Sequence, residues 1–213
     1  MIVSPVTYSQ EEELQIINKK SDANFKSTSW SDADLDDIKQ TIKTHYHRVQ
    51  NSVCPYCQQK LNTVHGRNWD IEHIVPRSHE KNFMFEPLNL CMSCLDCNKE
   101  KSNKKITSSG AKKKYPTDTS LYFIVHPHFD DYDEHILKVK VGFFYVPKKA
   151  KGRKTIEVCG LNRFYKFAGF NEDVNNDNRI ATLADLLLKT SDREYKNELR
   201  TEIAALAIQG AAQ

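Results

Sequence analysis

Asp70-Ile71-Glu72-His73-Ile74-Val75-Pro76 stands between two cysteine pairs, Cys54-Pro55-Tyr56-Cys57 and Cys94-Leu95-Asp96-Cys97. Asn89 precedes the second pair and Asn98 follows it directly. Each Cys-x-x-Cys makes a tight turn that aims two thiolates at one ion, and two such turns complete a tetrahedral four-sulfur site. A site closed by four thiolates has no open position, so it builds structure and does not react. Cys57 and Cys94 are separated by 36 residues, longer than in a simple zinc ribbon, so the insert must itself be structured. Cys91-x-x-Cys94-x-x-Cys97 offers two overlapping pairs. Reading Cys94 with Cys97 puts Asn98 next to the knuckle and leaves Cys91 as a buried thiol on the preceding strand or turn. Cys159 stands alone and reads as a core thiol.

Five of the six cysteines fall within 44 residues. In a reducing compartment such clustering points to metal and not to disulfides. The chain has 213 residues, 28% of them charged, enough for one ordinary domain or a small module with attached elements. No apolar run approaches the length that spans a bilayer. The start, Met1-Ile-Val-Ser-Pro5, lacks the basic and apolar regions of a secretory signal, so a cytoplasmic location is expected. Net charge is only +3, but the distribution is uneven. Lys99, Lys101, Lys104, Lys105 and Lys112 to Lys114 face the single acid Glu100, and a second basic run covers 148–154. Such local basic surface suits phosphates, and a solvated loop is the plainer reading of either run alone.

Residue types, order and spacing over about 54–105 together resemble the HNH (ββα-metal) endonucleases. That family shows a Cys-x-x-Cys, an acid-His-hydrophobic-x-Pro, an Asn about fifteen residues later, and then Cys-x-x-Cys-Asn-x-x-Lys. Here these are Cys54 to Cys57, Glu72-His73-Ile74-Val75-Pro76, Asn89, and Cys94 to Cys97 with Asn98 and Lys101. The resemblance implies a metal-dependent DNA endonuclease with a structural Zn2+ on Cys54, Cys57, Cys94 and Cys97. It implies a catalytic Mg2+ or Mn2+ on Glu72 and Asn98, His73 as general base, and Asn89 as the brace that orients it. A neutral imidazole takes a proton from water near pH 7, and a hard cation on oxygen ligands stabilises the leaving 3′ oxygen. Most family members have Asp where this chain has Glu72. Asp70, two residues earlier on a strand, points to the same face and could support the metal. Arg77, Lys101 and Lys104 are candidate contacts to backbone phosphate. His79 reads as a surface residue.

The expected architecture is α+β: a ββα-metal core with the structural zinc, flanked by an N-terminal helix, additional strands and a C-terminal helix. The expected divisions are a helical segment over 1–50, the nuclease core over 51–110 and an extension over 111–213. Apolar spacing predicts a short helix over 10–20, a stronger one from Ser31 through Val49, and a last helix over about 178–207 broken near Ser191 and Asp192. Val, Ile, Phe and Tyr enrichment predicts strands over 121–126, 136–146 and 155–159, with a bulge or turn at Gly142. His45 and His47, near the end of the second helix, read as capping or solvent-exposed residues.

The segment from His126 to His135, followed by Gly160-Leu161-Asn162-Arg163, resembles the downstream half of HNH proteins of bacterial antiphage systems, Septu-like and retron-linked. This implies an ABC-type ATPase or another defence-complex subunit as partner. His126, His128, Asp130 and Asp131 read as a polar loop, with a second metal site as the alternative. Two other functions fit the same residues. One is a zinc-stabilised DNA-binding or assembly module without cleavage of its own. The other is an RNA-directed nuclease, because base and metal act on the phosphate.

Overall fold

The computed structural model describes residues 2–61, 68–164 and 176–210. Helix α1 (Gln10–Ser21) is opened by a capping box: Ser9 Oγ accepts from the Glu12 N–H at 3.2 Å and Glu12 Oε2 accepts from the Ser9 N–H at 2.8 Å. None of its residues is buried. Helix α2 (Asp36–Val49) buries Ile38, Ile42 and Tyr46, four residues apart on one face. The helix expected from Ser31 therefore starts later. An extended Asp32 separates two short 3-10 turns over 27–35, and these carry Trp30 and Leu35 into the structure.

The centre is a two-stranded antiparallel sheet, β1 (Trp69–His73) and β2 (Leu90–Cys94), followed without a loop by helix α3 (Leu95–Lys101). Asp70 pairs with Ser93, Glu72 with Cys91 and His73 with Leu90. The free edge of β2 is closed by side chains. Gln50 accepts from the Met92 N–H at 2.7 Å and donates to the Met92 carbonyl at 2.8 Å, and His128 Nε2 bonds the Leu90 carbonyl at 2.8 Å. A two-stranded sheet is marginal alone, and pairing its open edge this way ties it to α2 and to the downstream segment.

Downstream come α4 (Tyr132–His135), the hairpin β3 (Ile136–Lys140) and β4 (Phe144–Pro147), α5 (Ala150–Val158), α6 (Asn176–Lys189) and α7 (Arg193–Gly210). Gly142 turns the hairpin at φ +81°, which a side chain would strain. Asp192 caps α7 through the Glu194 and Tyr195 N–H groups, so the break near Ser191 is real.

Two strand expectations fail. Residues 155–158 end helix α5, where Gly152, Thr155 and Val158 are buried at helical spacing. Residues 121–126 follow a 3-10 turn and make one isolated bridge, Thr107 to Tyr122. Enrichment in β-branched and aromatic residues marks burial as much as strand.

One core runs from Ile2 through α2, the central sheet and Ile106 to Leu161. A second, smaller one joins Phe144 and Val146 of β4 to Leu183, Leu199, Ala205 and Leu206 of α6 and α7.

Candidate functional site

Cys54, Cys57, Cys94 and Cys97 are all buried, and their sulfurs lie within 4.8 Å of one another. Cys57 Sγ is 3.7 Å from Cys94 Sγ. Zinc–sulfur arms of about 2.3 Å give a tetrahedron with edges of about 3.8 Å, so the donor set fits zinc. The first pair sits on a turn in which the Cys54 N–H bonds the Gln59 carbonyl and the Gln58 N–H bonds the Cys54 carbonyl. Cys94 ends β2 and Cys97 lies one turn into α3. Cys91 is fully buried on β2, opposite Glu72, and Cys159 is buried in the core.

The order of residues on β1 sets the second layer. Asp70 and Glu72, two apart, share the face covered by α3, whose Asn98 and Lys101 are three apart. The two polar pairs meet in register. Asn98 Nδ2 donates to Asp70 Oδ2 at 2.7 Å, and Lys101 Nζ lies 2.5 Å from Glu72 Oε1. Asp70 and Asn98 are partly exposed, whereas the Glu72 side chain is 4% exposed and that of Lys101 0%. Lys101 also donates to the His73 carbonyl at 3.0 Å, and the Tyr56 hydroxyl donates to Glu72 at 3.3 Å. Burial raises the Glu72 carboxyl above its ordinary value, with Lys101 opposing it.

His73, last on β1, points away from that face. Its Nε2 lies 3.0 Å from the Met84 carbonyl, and Trp30 packs edge-on with ring centroids 4.6 Å apart. A carbonyl only accepts, so Nε2 carries the proton and Nδ1 holds the lone pair. Burial, assisted by Arg77, pushes His73 down to about 3. Asn89 is fully buried and clamps the loop after β1. Its Oδ1 accepts from the Val75 N–H at 2.6 Å, and its Nδ2 donates to Val75 and Phe83 carbonyls at 3.2 and 2.9 Å.

Of the three positions expected to meet phosphate, one is enclosed. Lys101 is not a phosphate contact: it is enclosed with Glu72, because the i, i+3 spacing from Asn98 carries it beneath the sheet. Arg77 Nη1 donates to the Ser27 carbonyl at 2.8 Å, and its guanidinium lies over the Trp30 ring at 5.6 Å. Lys104 is exposed along its length but ends on the Val158 carbonyl at 3.0 Å. Lys99, Lys105, Lys112 to Lys114 and Arg153 are exposed cations.

His126, His128 and Asp130 form no metal site among the described residues. His126 stacks on Phe129 and bonds the Tyr115 hydroxyl, His128 closes the β2 edge, and Asp130 binds Lys151. His79 is exposed, His45 bonds the Ser4 carbonyl and His47 packs on Trp69.

Two residues beside the site were given no role there by the sequence. Trp30, forty-three residues before His73, carries no motif, and only its size among acids and serines could have marked it. Arg163 Nη1 approaches Cys97 Sγ at 3.8 Å and bonds the Gly160 carbonyl at 3.1 Å, while Nη2 reaches Asp96 at 3.3 Å. Four thiolates on Zn2+ would carry a net double negative charge, and this guanidinium would offset half of it.

Residues 54–104 match the HNH endonuclease family. A protein of Vibrio cholerae serotype O1 biovar El Tor, "Retron Vc95 putative HNH endonuclease", is 27% identical over 161 residues, 71% of this chain and 72% of that one. "Septu protein PtuB" of Bacillus thuringiensis is 27% identical over 125 residues, 59% of this chain and 42% of that one. No solved structure matches the chain significantly.

Proposed function

From the premise that residues 54–104 form an HNH endonuclease domain, we propose that the chain hydrolyses DNA phosphodiester bonds with His73 as general base and a divalent cation on the Asn98 face. The observation that carries this reading is the continuity of Cys97 with Asn98. The closed thiolate cluster fixes the first turn of α3, and that turn sets the Asn98 amide against the β1 carboxylates.

His73 keeps its Nε2 proton on the Met84 carbonyl and accepts a water proton at Nδ1. Asn89 holds the Val75 to Phe83 loop, and with it the neighbouring Met84 carbonyl that the ring bonds. Magnesium or manganese would be held by Asn98 and by a carboxylate of the same face, Glu72 by family position or Asp70 by exposure. Bound there, the ion supplies charge for the leaving 3′ oxygen. Exposed Lys99, Lys105 and Arg153 supply sequence-independent contacts to the duplex.

The test is nicking of supercoiled plasmid by the zinc-loaded chain with Mg2+ or Mn2+. His73→Ala is expected to lose activity by about 10²- to 10⁴-fold while retaining zinc. Robust cleavage by His73→Ala would sink the assignment of the base.

A second reading has a specific observation behind it. His73 is only 6% exposed and packs edge-on against Trp30, so little of its ring is open to a substrate. This favours a chain that is silent alone and active within a complex. The names of the relatives, one from a retron and one from Septu, support a defence role, and the family resemblance supplies an ABC-type ATPase as partner. Cleavage measured with and without that ATPase separates the two readings.

A further inference from the structure

We propose that Asp70, with Asn98, is the carboxylate that takes the divalent cation, and that Glu72 is not a metal ligand but one half of an internal ion pair with Lys101. The proposal rests on the nuclease reading above and departs from the ligand that the family position of Glu72 would supply.

Four observations carry it. The first is access. Glu72 and Lys101 side chains are 4% and 0% exposed, while Asp70 and Asn98 are both partly open to solvent. The second is charge. An ammonium already lies 2.5 Å from Glu72 Oε1, and a doubly charged ion on the same carboxylate would face it across a few ångströms in a poorly screened interior. The third is immobility. Lys101 has a second acceptor, the His73 carbonyl at 3.0 Å, and a buried ammonium cannot leave its partner without a large desolvation cost. The fourth is the chemistry at Asp70. Its Oδ2 accepts from Asn98 Nδ2 at 2.7 Å, so the positive end of an amide dipole now sits against it. Turning that amide over presents Asn98 Oδ1 beside the carboxylate, giving two hard oxygens. Small hard cations keep several waters and need only one or two carboxylates from the protein, with substrate phosphate completing the shell.

The sequence departure has a geometric consequence. Glu72 is one methylene longer than the Asp usual at this position, and that length lets its carboxylate reach inward to Lys101 and the Tyr56 hydroxyl. Asp70, one pleat earlier on the same face, is left with the open edge of the face.

The experiment measures Mn2+ binding to the zinc-loaded full chain by calorimetry, with thermal unfolding read alongside. Asp70→Asn is expected to weaken Mn2+ binding by about tenfold or more, with an unchanged unfolding midpoint. Glu72→Gln with Lys101→Met removes both charges together, leaves neither buried alone, and is expected to bind Mn2+ within about threefold of the unaltered chain. If Asp70→Asn binds Mn2+ normally, the proposal is overturned; the unfolding midpoint read alongside reports that the variant is folded. Loss of Mn2+ binding confined to the folded Glu72 and Lys101 double variant would overturn it equally. Plasmid nicking by the unaltered chain reports separately on the nuclease reading, whose failure shows as no cleavage in Mg2+ or Mn2+ with or without an ATPase partner.

Discussion

At the scale of residues, the site separates groups that must stay dry from groups that must reach solvent. His73 is held by a carbonyl on one ring nitrogen and by the edge of Trp30. Trp30→Ala is expected to lower kcat for nicking by about tenfold or more, because small misplacement of a reacting group is costly, and to leave zinc content unchanged. Trp30→Phe should restore part of the rate by refilling the contact. Equal rates for the alanine variant and the unaltered chain would remove Trp30 from any positioning role. Lys101→Met tests the buried pair by stability. It strands the Glu72 carboxylate in the core and should cost about 3–5 kcal/mol, read from denaturant unfolding. Adding Glu72→Gln should recover most of that loss, since a pair removed together leaves no uncompensated charge. Position 72 was legible as an acid from its motif. Its partner was not, because the strand period of two and the helix spacing of three had first to be brought face to face.

At the scale of elements, helix α3 matters through where it starts. It has seven residues, too short to hold together alone, and the thiolate cluster at its first turn substitutes for length. Removing zinc with a chelator is therefore expected to release α3 from β1 and to lose Mn2+ binding together with the fold of the core, seen by circular dichroism. Arg163→Ala should speed zinc transfer to a competing chelator by about tenfold, since groups that contact metal ligands typically control affinity to that extent. An unchanged transfer rate would show that Arg163 serves its carbonyl, Asp96 and Phe164 contacts and not the thiolates. Helix α5 carries a second element-scale constraint. A Cβ on Gly152 would lie 1.9 Å from the His135 carbonyl oxygen, so Gly152→Ala must push α5 away from α4. A loss of about 1–3 kcal/mol is expected from unfolding curves, the usual cost of overpacking. The expected strand at 155–159 failed because Thr155 and Val158 mark burial as much as strand, and only the packed chain shows that the burial falls at helical spacing.

At the scale of the whole molecule, the downstream segment is a brace for the central sheet. His128 closes the β2 edge, the Tyr132 hydroxyl donates to the Tyr56 carbonyl at 2.7 Å beside the first cysteine pair, and Tyr145 donates to the Cys57 carbonyl. Asp130 knots this brace. Burial alone would raise its carboxyl, but the His126 N–H, Lys151 and Thr119 outweigh burial and hold it below the usual carboxylate range. A depressed folded value means that the stabilisation is complete above the ordinary Asp range of about 4 and fades as pH falls through the folded value. Acid unfolding should therefore begin at higher pH in Asp130→Asn, whose stability should change less between pH 5 and pH 3 than that of the unaltered chain. Identical acid profiles would show that Asp130 is not linked to folding.

What the sequence determined by itself was local chemistry. Two cysteine pairs, an acid-His dipeptide and Asn98 directly after Cys97 specify a metal-closed ββα unit, because ligand spacing and strand and helix periods act over a few residues. The break before α7 was legible for the same reason, since Asp192 caps its own neighbours. Tertiary structure alone decided which acid faces solvent, that Lys101 lies under the sheet and not at the surface, and that Trp30 and Arg163 reach the site from far along the chain. No local rule relates residue 30 to residue 73 or residue 163 to residue 97. Those pairs exist only once burial of the core and closure of the four-sulfur cluster have brought distant segments together, and burial then decides which charges must be paired.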